Sequence, residues 1–272
     1  MTNYEQPHRP NTAYSKFSTN RALRKVPEIT LIFWIVKLLT TAMGEATSDF
    51  LVFRINPYLA VVIGAFILAV ALTIQFSVPR YIPWVYWLAV AMVAVFGTMA
   101  ADALHIQLGI PYIITTILFA AVLIVIFIAW YKSERTLSIH SINSTRREGF
   151  YWATVLATFA LGTAAGDLTA STLGLGYFSS ALLFSGLIAV LAIGYWLFGL
   201  IEIIAFWTAY ILTRPIGASF ADWMDKSKAV GGLGMGNGHV GIWLTIIIII
   251  FVGYMTLGHK ESKRERRVLS RK

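Results

Sequence analysis

Hydrophobic positions in this chain fall in long unbroken runs, and polar residues punctuate them at regular distances. Runs of about 18 or more apolar residues have the length of membrane-spanning helices rather than of buried core helices. The pattern predicts eight spans, near residues 29–52, 58–78, 84–106, 111–131, 149–171, 178–198, 200–223 and 239–258. The expected fold is therefore an all-α polytopic membrane protein.

Every second span carries the same signature. An aromatic-Trp pair is followed by nine residues, a Gly, three residues, a small residue and an Asp. The four copies are Phe33-Trp34/Gly44/Ser48/Asp49, Tyr86-Trp87/Gly97/Ala101/Asp102, Tyr151-Trp152/Gly162/Gly166/Asp167 and Phe206-Trp207/Gly217/Ala221/Asp222. One plain span separates each motif span from the next, so all four motif helices run the same way. These are parallel repeats, each a motif helix and a plain helix in a hairpin, related by an axis along the membrane normal. Gly44 to Gly162 is 118 residues and Gly97 to Gly217 is 120, which makes two halves of a duplicated four-helix unit. The segments that follow are a polar arm (1–27), the first half (28–131), a basic linker (132–148), the second half (149–258) and a basic tail (259–272). Plain spans such as 111–131 are apolar all round, as lipid-facing helices are; the motif spans should be central.

Composition agrees: 57% of residues are hydrophobic and 13% charged, against about 25% charged in soluble domains. Cysteine is absent, which leaves only oxygen and imidazole ligands for any metal. The net charge of +9 lies at the ends, with seven cations in residues 260–272, and this placement argues against nucleic acid. Of 22 Lys and Arg, 17 fall on the side of the termini and three on the other. The positive-inside rule then puts both termini in the cytoplasm, with the bilayer, and anionic lipid at the basic ends, as partners. Oligomeric state is not fixed by the sequence.

Each part of the motif suggests a job. Gly44, Gly97, Gly162 and Gly217, each with a small residue four later, form ridges for close helix packing. The aromatic-Trp pairs suit an interfacial belt. Asp lies about 22 Å of rise beyond Trp, below the outer surface of the hydrocarbon slab. Four helices ending on a carboxylate would oppose their own dipoles, so repeated Asp at one depth points to function. Asp49, Asp102, Asp167, Asp222 and Glu45 against Lys37 and Arg214 leave the interior at −3 when all ionise, which favours a cation or exchangeable protons. Thr41, Ser48, Thr98, His105 and Thr163 are the supporting polar groups. Glu45 and Asp49 are the candidate ligands for an oxygen-loving divalent metal. Arg214 needs a carboxylate partner, Glu45 or an Asp, and Pro215 should kink its helix. The run Gly231-Gly232-Leu233-Gly234-Met235-Gly236-Asn237-Gly238 follows no strand and has no P-loop Lys, and is expected to be a flexible re-entry loop.

The segment KVPEITLIFWIVKLLTTAMGEATSDFLV and the closing GGLGMGNG resemble bacterial membrane-anchored proteins built from a four-fold repeat of unknown function. The resemblance runs over nearly all of residues 25–258 and implies a bacterial inner-membrane protein. It carries no activity with it. With no nucleophile-base pairing in sight, the expected function is a non-enzymatic transporter of a small cation, divalent in class and proton-coupled. The alternatives are a proton-coupled exporter of a small organic molecule and a non-transporting scaffold or sensor. No cofactor is expected beyond a divalent cation as substrate.

Overall fold

The computed structural model describes residues 24–269, with side chains described to residue 258. Among the described residues there are eight α-helices and no strand. They are α1 (Leu31–Arg54), α2 (Pro57–Ser77), α3 (Pro83–Asp102), α4 (Tyr112–Glu134), α5 (Thr145–Asp167), α6 (Tyr177–Phe198), α7 (Glu202–Asp225) and α8 (Asn237–Leu269). Local sequence sets several of the starts. Thr30 accepts from the Phe33 amide, Asn56 caps a helix that opens on Pro57, and Ser144 accepts from the Arg147 amide. Helices α3 and α5 run on past their motif Asp as π-helical turns, Ala103–Gln107 and Leu168–Thr172. The turns then end near left-handed glycines, Gly109 and Gly174.

Seven of the eight helices are long and apolar enough to cross a membrane. The exception, α1, has the length, at 24 residues, but places Lys37, Glu45 and Asp49 on its buried side. The molecule is thus a helical membrane protein, and its charge is turned inward. Helices α3, α5 and α7 have 61%, 61% and 56% of their apolar window buried, against 22%, 17%, 11% and 22% for α2, α4, α6 and α8. Motif helices are central and plain helices peripheral, as their polarity predicts.

The motif helices close a ring, α1 on α3, α3 on α5, α5 on α7 and α7 back on α1. One contact is used four times. A Cβ added to Gly44 would lie 2.5 Å from the Ala94 Cβ, and one on Gly97 would lie 2.6 Å from the Phe159 Cβ. A Cβ on Gly162 would strike the stem of Arg214, and one on Gly217 would strike Thr41. In every case the residue met is three before the glycine of the next copy. The missing side chain is what lets neighbouring backbones approach, because lipid tails supply no hydrophobic drive for helix association.

The plain helices are paired differently from the expected hairpins. Helix α2 packs chiefly on α3, α4 on α5, α6 on α7, and α8 on α1. Each repeat therefore supports the motif helix that follows it, and α8 joins the last repeat to the first. The described end of the expected arm, residues 24–27, and the linker are also docked. Lys25 donates to the buried Glu148 at 2.6 Å, Gln75 donates to the other oxygen of Glu148 at 2.8 Å, and Ile139 and Ile142 are buried. Residues 1–23 lie outside the described part, as do 270–272; the rest of the expected tail continues α8 to Leu269.

Gly97→Ala is expected to destabilise the protein by about 1–3 kcal/mol, the usual cost of overpacking. Gly149→Ala, where an added Cβ meets nothing within 4 Å, serves as the control. Thermal unfolding of both in the same detergent checks this: equal melting temperatures would mean the glycine contact does not hold the ring.

Candidate functional site

Every fourth residue of a motif helix returns to about the same face, and this spacing builds the ring interior in layers. At the N-terminal end of the ring, Phe33, Tyr86, Tyr151 and Phe206 are buried. Each packs at a tilt against the Trp of the next copy: Phe33 on Trp87 at 5.7 Å between centroids, Tyr86 on Trp152 at 5.6 Å, Tyr151 on Trp207 at 6.2 Å, and Phe206 on Trp34 at 5.8 Å. The hydroxyls of Tyr86 and Tyr151 are 2.5 Å apart. This closed girdle replaces the expected interfacial belt: Trp87, Trp152 and Trp207 are buried between helices rather than turned to the interface.

One step further in, Lys37 sits with Val90, Val155 and Tyr210, all buried. Its ammonium lies 4.0 Å from the Phe159 ring centre and 4.2 Å from that of Tyr210, and its Nζ has no hydrogen-bond partner among the described residues. The expected role of Lys37 as a counter-charge is not seen in its contacts; it is held by aromatic faces. The next layer is Thr41, Ala94, Phe159 and Arg214, and the one after it Glu45, Thr98, Thr163 and Ala218. Arg214 is fully buried and bridges the two. It donates to Glu45 Oε2 at 2.7 Å, to Thr163 Oγ1 at 2.7 Å, to the Thr41 carbonyl at 2.9 Å, and to Thr98 Oγ1. Thr98 and Thr163 also donate to Glu45 Oε2, at 3.2 and 3.4 Å. One guanidinium thereby links all four motif helices. The small Ala218 stands where a fourth polar side chain would crowd it.

The last layer holds the four motif Asp residues, and it is asymmetric. Carboxylate oxygens of Glu45, Asp49 and Asp102 lie within 4.8 Å of one another, and so do those of Asp49, Asp222 and Asp225. Asp49 belongs to both trios; Asp167 belongs to neither. Lys226 pairs with Asp49 and lies 3.4 Å from Asp222, while Asn237 donates to Asp49 at 3.2 Å. Burial acts to lower the Lys226 pKa, but the Asp222 and Asp49 carboxylates outweigh it and raise it above the ordinary value. The ammonium stays charged.

Asp225, Lys226 and Asn237 are site residues that the fourfold motif does not contain. The four-residue step from Asp222 to Lys226 was a readable signal for one ion pair; nothing local announced Asn237. It is delivered by the glycine run, which is pinned rather than flexible. Leu233, Gly234, Met235 and Gly236 donate their amides to the carbonyls of Trp223, Lys226, Met224 and Asp225. The run so satisfies the orphan carbonyls at the end of α7, with left-handed backbone at Gly231, Gly234 and Gly236. The remaining expected residues are supporting at most. Ser48 is buried with its hydroxyl unpaired, and Thr41 donates to the Leu38 carbonyl. His105 bonds the Ile110 carbonyl at 2.8 Å and stacks on Tyr112, so it closes the turn after α3 rather than joining the carboxylates.

A closed ring of parallel helix repeats with an ionised interior defines the class: a helical membrane protein built by internal repetition. A family model described as Repeat of Unknown Function (DUF347) matches the chain four times, over residues 32–81, 85–136, 150–199 and 205–260. The chain belongs to this repeat family. No curated protein and no solved structure matches it. Each match spans a motif helix and the plain helix after it, so the sequence repeat is offset from the packing unit.

Glu45→Leu leaves Arg214 buried without its carboxylate and is expected to cost about 3–5 kcal/mol of stability. The double variant Glu45→Leu with Arg214→Leu should recover most of that loss. Unfolding midpoints of the two singles and the double, combined in a cycle, measure the coupling; additive effects would contradict a functional pair.

Proposed function

We propose that the ring is a transport unit for a small cation, divalent in class, exchanged against protons. The reading includes eight membrane crossings with both termini in the cytoplasm, as the distribution of basic residues favours. The acidic layer then lies toward the side away from the cytoplasm and the aromatic girdle closes the cytoplasmic end. The observation that carries the proposal is Asp49, shared by two carboxylate trios at the acidic end of the ring. Oxygen donors at this density suit a hard cation such as Mg²⁺, Mn²⁺ or Ca²⁺.

The geometry supports a mechanism in which ion and lock compete. Glu45 belongs to the trio with Asp49 and Asp102 and is also the partner of Arg214. A cation drawn to Glu45, Asp49 and Asp102 weakens the hold of Glu45 on Arg214, the bond that ties the four helices below the site. Lys226 plays the same part on Asp49 from above. With the ion absent, the two cationic side chains occupy the carboxylates; with it present, they are released and the ring can open inward. Ion binding and ring opening are thus two outcomes of one exchange of partners. Proton-coupled export of a small organic molecule, in which the acids serve protons, and a scaffold role are the alternatives; neither calls for two carboxylate trios around one Asp.

In proteoliposomes, Asp49→Asn is expected to lower divalent-cation flux by about tenfold or more, equivalent to one lost ionic contact. Asp167→Asn, outside both trios, should reduce it by less than about threefold. Unchanged flux in Asp49→Asn, or no cation flux in the wild type, would sink the proposal.

A further inference from the structure

Lys37 has no part in the exchange of partners among Glu45, Arg214, Asp49 and Lys226. It stands between the carboxylates and the girdle, fully buried, and its Nζ has no hydrogen-bond partner among the described residues. The other copies place Val90, Val155 and Tyr210 at this position of the motif, so the amine is alone in its layer. The groups around it are few. Helix α7 presents Tyr210 and Arg214, α5 presents Val155 and Phe159, and α3 presents Val90. Helices α2 and α8, also packed on α1, carry no charged residue over 57–77 and 240–258. Among the described residues, then, no carboxylate fixes the charge of Lys37.

Its cage suits both forms of the amine. The faces of Phe159 and Tyr210, 4.0 and 4.2 Å away, hold an ammonium. Val90 and Val155 ask nothing of a neutral amine. Lysine, unlike arginine, changes protonation readily in such surroundings.

A row of tyrosines leads from this cage through the girdle. The Tyr210 hydroxyl is buried next to that of Tyr151, and the Tyr151 and Tyr86 hydroxyls are 2.5 Å apart. Tyr86 in turn packs at 5.6 Å against Tyr81, which is half-buried just before α3. The remaining girdle positions of this layer are Phe33 and Phe206, so the hydroxyls follow one path, from α7 to α5 to α3.

We propose that Lys37 carries a counter-proton of the exchange, and that Tyr210, Tyr151, Tyr86 and Tyr81 conduct it across the girdle. The inference rests on the transport reading and adds to it the route of the second ion. Two like charges repel strongly in a buried layer that holds no anion, so a divalent cation crosses the Lys37 layer only after the ammonium has lost its proton. An N–H bond of Lys37 breaks, each hydroxyl takes up one proton and passes on another, and an O–H bond forms on water at the girdle end. No tyrosine ends charged. With the cation at the carboxylates and Arg214 released, water from the acidic end returns a proton to the amine. One proton and one cation thus move in opposite senses.

The test uses the full chain in liposomes, with Mn²⁺ entry and proton movement recorded by two dyes in the same vesicles. Wild type is expected to move protons against Mn²⁺. Lys37→Met, apolar and of similar length, should lower the protons moved per Mn²⁺ by about tenfold or more. Tyr151→Phe keeps the ring and removes one hydroxyl; it should slow both movements together by about tenfold or more, at an unchanged ratio. A lysine that is only structural would leave the ratio of Lys37→Met as it is in wild type. Absence of Mn²⁺ flux in wild type would remove the transport reading and this proposal with it. Flux at the wild-type ratio in Lys37→Met, or at wild-type rates in Tyr151→Phe, would overturn this proposal alone. A second measurement does not depend on flux. In nanodiscs, with the lysine ε-carbons isotopically labelled, the Lys37 magnetic resonance signal is assigned by its loss in Lys37→Met and Lys37→Arg. It should pass from the charged to the neutral form between about pH 5 and about pH 10. One form throughout would overturn the proposal even where Lys37→Met moves no Mn²⁺.

Discussion

A guanidinium with no solvent exposure needs acceptors, and the two terminal nitrogens of Arg214 take them from three other helices while its Nε stays unpaired among the described residues. The rest of the ring is arranged around that requirement. Gly162 lets the Arg214 stem pass between α5 and α7, Ala218 leaves space beneath it, and Thr98 and Thr163 supply hydroxyls at the height of Glu45. Buried ion pairs are weak stabilisers, because desolvation offsets most of the attraction. Their better-attested use is to fix register, and here a single pair sets the relative height of four helices.

Fourfold repetition and singular chemistry coexist because they sit at different angles on the same helices. The glycine faces the neighbouring helix and is identical in all copies, since a backbone contact tolerates no variation. The residue after it faces the axis, about 100° away, and there the copies differ: Glu45, Thr98, Thr163 and Ala218. Four equal charges on one axis would repel; one acid, two hydroxyls and a gap accommodate one arginine. Asymmetry inside a symmetric shell is also what gives one Asp two sets of neighbours and leaves Asp167 out of both.

The two ends of the ring are closed by different physics. Eight aromatic rings packed against one another at a tilt seal one end, with no charged group among them. Carboxylates, Lys226 and Asn237 occupy the other, where the glycine run folds back over α7. Between them the Lys37 Nζ lies against two aromatic faces, so the change from apolar to polar is graded along the axis.

Periodicity alone determined the helices, the central place of the motif helices and the packing role of Gly44, Gly97, Gly162 and Gly217, because membrane helices obey composition and close-contact rules that are local. That Arg214 pairs with Glu45 or a motif Asp was legible too, since an arginine inside a span has few acids to choose from; the structure chose Glu45. Tertiary structure decided the rest. Trp87, Trp152 and Trp207 could have faced the interface as easily as each other, and only ring closure buries them. The support of each motif helix by the plain helix before it depends on tilt, to which sequence order is blind. Lys226 and Asn237 reach Asp49 because the glycine run turns back on α7, and a contact made across 177 residues leaves no trace in local spacing. The four Asp residues share one spacing in the sequence, where the adjacent Glu45 already set Asp49 apart; only the tertiary structure gives Asp49 two trios of neighbours and leaves Asp167 out of both.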